Sequence, residues 1–177
     1  MPGPAPLRPG LTLVLGGARS GKSRYAEGLA AQASRPIYLA TAAAGDAEMA
    51  ARIAEHRARR GSAWVTAEEP VALPEAIRRH AAADAAVLVD CLTLWVANLM
   101  AADIPVGAAG DELAAAIGGA PGPVILVSNE VGLGIVPDNA LARAFRDHAG
   151  RLHQTLAARA DRVVFMVAGL PMRVKGD

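Results

Sequence analysis

Gly16-Gly17-Ala18-Arg19-Ser20-Gly21-Lys22-Ser23 is a glycine, four residues, then Gly-Lys-Ser. This is the pattern of a P-loop. An apolar run, Leu11 to Leu15, precedes it, and a helix-like run, Ser23 to Ala33, follows it. The motif requires that strand–loop–helix context. Gly16 and Gly21 let the backbone curl so that successive N–H groups point at phosphate oxygens. Gly17, Ala18, Arg19 and Ser20 complete the cradle, Lys22 reaches the β- and γ-phosphates, and Ser23 ligates Mg²⁺. The positive end of the following helix adds to the anion site.

Outward from this stretch, short apolar runs alternate with helical ones. The expected strands are Leu11–Leu15, Pro36–Ala40, Val87–Asp90, Val124–Ser128 and Val163–Val167, with a possible short strand at Trp64–Thr66. Continuous apolar runs of this length suit strands covered on both faces. The expected helices are Ser23–Ala33, Asp46–Arg60, Pro74–Ala83, Leu92–Met100, Asp111–Ile117 and Asn139–Ala160. The alternation predicts an α/β domain with a mainly parallel sheet flanked by helices. Residues 11–177 read as one P-loop nucleotide-binding catalytic domain, preceded by a flexible, proline-rich arm at 1–10.

With 177 residues, the chain is long enough for one sizeable core. A net charge of +1 offers no strong field for nucleic acid. The one cysteine, Cys91, excludes an intrachain disulfide and a cysteine-based zinc site, and reads as a small buried hydrophobe. No apolar run reaches the roughly 18 residues of a membrane span, and Met1–Gly10 lacks the apolar segment of a signal peptide. A cytoplasmic protein with no membrane insertion is expected.

In a parallel sheet, active residues gather beyond the carboxyl ends of the strands. Those ends carry Gly16–Ser23, Thr41, Asp90 and Asn129-Glu130. Asp90 closes the run Val87-Leu88-Val89 and suits a Walker-B acid holding Mg²⁺, or alternatively an N-cap for the next helix. Asn129-Glu130 is either a site pair or a solvated loop. Among four histidines, His80 ends a charged helix, and the five-residue spacing of His148 and His153 does not suit one shared metal. His56 has Arg52 four residues before it and Arg59 three after it, on one helical face. Such neighbours keep the ring neutral and able to attack phosphorus. The plainer reading of these residues is a surface histidine in a solvated basic stretch.

Taken together, several segments resemble the bifunctional adenosylcobinamide kinase / adenosylcobinamide-phosphate guanylyltransferase family of cobalamin synthesis. They are residues 16–27 (GGARSGKSRYAE), 38–41 (YLAT), 48–60 (EMAARIAEHRARR), 64–69 (WVTAEE), 88–99 (LVDCLTLWVANL) and 127–161, which opens VSNEVGLGIVP. The resemblance implies a RecA-like sheet, a homotrimer, and two reactions. One phosphorylates a hydroxyl of adenosylcobinamide from ATP or GTP. The other transfers GMP from GTP to adenosylcobinamide-phosphate through a guanylylated histidine, releasing pyrophosphate. It assigns that histidine to His56 and a catalytic role to Lys22. It further implies nucleotide contacts at Thr41, Arg57, Arg60, Glu68 and Asp90, with Mg²⁺ at Ser23 and Asp90. A simple P-loop kinase and a GTP-dependent regulatory module are the competing readings, and the latter lacks an Asn-Lys-x-Asp guanine motif.

Overall fold

The computed structural model describes residues 7–42 and 61–176. Seven strands form one sheet: β1 (Gly10–Gly16), β2 (Arg35–Ala40), β3 (Val65–Glu68), β4 (Ala85–Asp90), β5 (Pro123–Asn129), β6 (Arg162–Val167) and β7 (Leu170–Lys175). Their order is β3-β2-β4-β5-β1-β6-β7. All neighbours pair in parallel except β6 and β7, which form an antiparallel hairpin. The helices are α1 (Lys22–Ala30), α2 (Leu73–His80), α3 (Leu92–Ala101), α4 (Val106–Gly118) and α5 (Ala140–Arg159).

The strands alternate between two buried layers, as the two-residue period of a strand dictates. Leu11 and Leu13 of β1, Val87 and Val89 of β4, and Val124 and Leu126 of β5 face one side, where α2, α3, α4 and α5 pack. Val14, Leu88, Ile125 and Val127 face the other, against Ala26, Leu29 and Ala30 of α1. Burial on both faces explains why these strands read as unbroken apolar runs.

The expected strands are all present, and the possible one at Trp64–Thr66 is the edge strand β3. Four expectations need correction. Helix α1 stops at Ala30 rather than Ala33, because the chain turns there, with Gln32 and Ala33 bonding back to Leu29 and Ala30. Helix α2 stops at His80 rather than Ala83, because Ala81 takes an extended backbone at ψ 129°. Helix α4 begins at Val106 rather than Asp111, with Gly110 packed so closely on Leu152 that an added Cβ would lie 2.9 Å from it. Strand β7 was not expected, and all six of its residues are exposed. The expected helix at 46–60 lies outside the described residues. Leu7, in the segment read as an arm, donates its N–H to Gln32 Oε1 at 2.9 Å.

Trp95 is fully buried at the centre of the larger layer, and its indole N–H reaches the Val71 carbonyl at 2.8 Å. Trp95→Ala removes this volume and orphans that carbonyl. We expect a loss of about 3–5 kcal/mol in urea unfolding. A loss below about 1 kcal/mol would show that the layer closes around the gap.

Candidate functional site

The chain leaves the sheet at Gly16, between β5 and β6, and returns as α1 at Lys22. Gly16 has φ +151°, and an added Cβ there would lie 2.6 Å from the Met166 carbonyl. Gly21 has φ +95°, and Arg19 also takes a left-handed conformation at φ +55°. A side chain at either glycine is strained or blocked, which is the physical reason for the two glycines of the motif. Ser20 N–H bonds the Gly17 carbonyl at 3.3 Å, closing the turn. Among the described residues, the Ser20 hydroxyl is buried within the loop with no hydrogen-bond partner. A buried orphan of this kind fits a loop built to meet an anion.

Lys22 is buried, and its ammonium donates to the Gly17 carbonyl at 2.6 Å. Burial lowers its pKa from the ordinary lysine value, and the carboxylate of Asp90 pulls it back up. Lysine and aspartate therefore share one electrostatic environment, although 68 residues separate them in sequence. Asp90 ends β4, where its Oδ2 accepts from the Tyr38 hydroxyl at 3.2 Å. Ser23 opens α1 beside Lys22. No group of three or more His, Cys, Asp or Glu suited to a metal occurs among the described residues. One serine and one aspartate, with phosphate oxygens and water completing the shell, fit Mg²⁺, which seldom takes an all-protein cage.

Of two further expected nucleotide contacts, Thr41 adjoins this cluster, its N–H bonding the Asp90 carbonyl at 3.3 Å, and Glu68 lies away from it. Thr41 is wholly buried. Its hydroxyl donates to the Cys91 carbonyl at 2.7 Å and accepts from the Cys91 N–H at 2.9 Å. Its side chain thus faces protein and fixes the backbone next to Asp90. Glu68 ends β3, at the far edge of the sheet from the loop, with β2, β4 and β5 between. His56, Arg57 and Arg60 lie outside the described residues. Cys91 is buried as expected, and burial pushes its thiol pKa up.

Asn129 and Glu130 do reach the loop. Asn129 pairs with Gly16 in the parallel ladder, and the Glu130 N–H donates to the Gly16 carbonyl at 2.9 Å. The Asn129 amide also donates to Thr93 Oγ1 at 3.0 Å, tying the end of β5 to the start of α3. Asn98 performs a similar task, donating to the Thr41 and Pro70 carbonyls, both at 2.9 Å.

His153 is a residue whose role sequence reasoning missed. It is buried on α5, its Nε2 is 2.7 Å from Ser128 Oγ, and its Nδ1 is 3.9 Å from Glu130 Oε2. The available signal was its place on the apolar stripe Ala149, Leu152, Leu156 of α5, where a polar side chain must find a partner. Burial lowers its pKa below the ordinary value of 6.5, with Glu130 acting in the opposite sense.

The fold thus disfavours the charged form of His153. As pH falls through about 6.5, the unfolded chain takes up a proton more readily than the folded one, so stability falls. His80, lowered by burial and by Arg79 and Arg35, acts in the same direction. We expect His153→Gln to lose less stability than the wild type between about pH 8 and pH 5.5, in parallel denaturant titrations. Equal pH slopes in the two proteins would remove His153 as a source of acid sensitivity.

A model of the family described as cobinamide kinase / cobinamide phosphate guanyltransferase matches residues 12–174. The chain is similar to a bifunctional adenosylcobalamin biosynthesis protein, CobP, of Pseudomonas aeruginosa, at 55% identity over 93% of this chain and 97% of that protein. It is 44% identical to the corresponding protein, CobU, of Salmonella typhimurium, over 93% of this chain and 99% of that one. Two solved structures share the fold at low identity. The flagellar accessory protein FlaH of Methanocaldococcus jannaschii aligns with a TM-score of 0.56 at 13% identity, covering 98% of this chain and 81% of that one. The RadB recombinase aligns with a TM-score of 0.56 at 17% identity, covering 90% and 74%. No helix among the described residues is long and apolar enough to cross a membrane.

Proposed function

The chain belongs to the cobinamide kinase / cobinamide phosphate guanyltransferase family, and we propose the following chemistry for it. It is a bifunctional enzyme of adenosylcobalamin synthesis. It phosphorylates adenosylcobinamide from ATP or GTP, then transfers GMP from GTP to adenosylcobinamide-phosphate. The observation that carries this reading is the glycine-walled loop with Lys22 buried beside Asp90, in a chain 55% identical to a bifunctional relative.

In the kinase half, the substrate hydroxyl attacks the γ-phosphorus. A new O–P bond forms, the bond from the γ-phosphorus to the β–γ bridging oxygen breaks, and the hydroxyl proton passes to water. The chain's part is to place the phosphates and to offset charge, through the loop N–H groups and Lys22. In the transfer half, the neutral ring of His56 attacks the α-phosphorus, an N–P bond forms, and pyrophosphate leaves. A phosphate oxygen of adenosylcobinamide-phosphate then displaces His56, giving adenosylcobinamide-GDP. Arg57 and Arg60 follow His56 in sequence and would hold the triphosphate it attacks. Bound Mg²⁺, held by Ser23 and Asp90, would neutralise charge on the phosphate oxygens. Thr41 and Glu68 are assigned to nucleotide binding by resemblance, Thr41 acting through the Asp90–Cys91 backbone it holds. We further propose a homotrimer, on the family resemblance, and a cytoplasmic location, where nucleoside triphosphates are supplied.

Two variants test this reading. His56→Ala should give no acid-labile, base-stable label on protein from α-labelled GTP and no adenosylcobinamide-GDP, while some kinase turnover survives. Continued formation of adenosylcobinamide-GDP would sink the assignment, and an unlabelled wild type would favour a simple kinase. Lys22→Ala should slow both reactions by about a hundredfold or more in kcat, the scale of losing one donor to developing charge. A loss confined to one reaction would mean two separate nucleotide sites.

A further inference from the structure

Among the described residues, most of the exposed large apolar side chains lie at one end of the sheet, with Val65 on the edge strand β3 set apart from them. Ile135 is 97% exposed and Leu133 82%, and Val136 and Leu141 are also exposed. All four lie between the carboxyl end of β5 and the first turn of α5. Val167 and Leu170 are exposed as well, and they pair across the β6–β7 turn. Directly paired residues project to the same face of a sheet. Val163, in the same alternation as Val167, packs in the layer that contains α5. The hairpin pair and the start of α5 therefore share one side of the sheet, at its carboxyl edge.

Both groups are tied to the phosphate loop by its own backbone. On one flank the Glu130 N–H bonds the Gly16 carbonyl at 2.9 Å, and on the other the Gly169 N–H bonds the Ser20 carbonyl at 3.0 Å. The loop that carries Ile135 is anchored at its far end. Arg143 Nη1 donates to the Pro137 and Asp138 carbonyls at 2.9 and 2.7 Å, and Asn139 caps α5 through the Ala142 N–H at 2.7 Å. The backbone is held while large apolar side chains stand in water. An apolar cluster of this kind beside a reaction centre marks a surface made to be covered.

We propose that this rim is the docking surface for the corrin macrocycle of the acceptor. The proposal rests on the function stated above. An acceptor whose hydroxyl meets the γ-phosphate must lie against the surface bordering the phosphate loop. The six rim residues carry no charge. A corrin is a broad ring with an apolar face and neutral amide arms, and it matches that surface in chemistry. A second copy of the chain is the competing occupant. Direct continuity with the phosphate loop on both flanks favours the acceptor, because whatever sits on the rim is delivered to the transferred phosphate.

The test is a Leu133→Ser/Ile135→Ser double variant, beside the wild type, in the kinase reaction with adenosylcobinamide. Mass by light scattering and the GTP-derived protein label are measured in parallel. We expect the KM for adenosylcobinamide to rise by about tenfold or more, from the lost burial of two large side chains. The KM for GTP, the label formed from GTP alone, and the mass should not change. An unchanged KM for adenosylcobinamide overturns the proposal. So does a fall in mass that accounts for the KM change, which makes the rim a subunit contact. A wild type that phosphorylates no cobinamide overturns the function itself instead.

Discussion

Gly16 must leave the sheet while both neighbouring strands stay paired to it. It pairs with Asn129 on β5 and with Met166 on β6, at φ +151°, and the Met166 carbonyl occupies the space a side chain would need. An alanine here would push β6 away or straighten the turn. Either change displaces what hangs from this point: the direction of α1, the N–H of Glu130 on the Gly16 carbonyl, and the Gly169 contact at Ser20. The anion cradle is thus set by a steric constraint inside the sheet, before any charged group acts.

A second tier of constraints is polar and buried. Asp90 faces the loop from β4, while Thr41 clasps the next residue with both a donated and an accepted bond. Asn98 then holds the Thr41 carbonyl, and Thr93 joins the start of α3 to Asn129. Each of these groups would cost free energy if buried alone. Satisfied together, they join the carboxyl ends of β2, β4 and β5. Losing any one leaves its partner unsatisfied, so the ends of these strands are rigid as a set.

The sequence reveals most clearly what is buried on both faces. β1, β2, β4, β5 and β6 read as apolar runs because their side chains are buried on both faces of the sheet, and their short length separates them from helices. β7 escaped because Leu170-Pro171-Met172-Arg173-Val174-Lys175 alternates in the open, where burial leaves no signature. The loop motif, with Lys22 and Asp90, was legible because strand ends and glycine chemistry locate those residues locally. The packing of Thr41 was hidden for the opposite reason. Its position just past β2 is visible in sequence, but the Cys91 backbone that engages its hydroxyl lies just past β4, 50 residues later. The pairing of His153 with Ser128 was hidden by the same long separation.

One cradle can serve both proposed reactions because their leaving groups have a phosphate in common. Attack at the γ-phosphorus leaves the bridging oxygen on the β-phosphate of a nucleoside diphosphate. Attack at the α-phosphorus leaves the other bridging oxygen on the β-phosphate of pyrophosphate. Negative charge therefore develops on the β-phosphate in both transition states, although the attacked atoms and the nucleophiles differ. In the proposed chemistry, loop N–H groups and a lysine directed at the β- and γ-phosphates would stabilise that charge in either case. A buried ammonium does this better than a solvated one, since the dry surroundings that lower the pKa of Lys22 also strengthen its attraction to phosphate. In the proposed chemistry, the choice between reactions would then fall to the group presented at each end of the triphosphate, a histidine at the α-phosphate or an acceptor hydroxyl at the γ-phosphate.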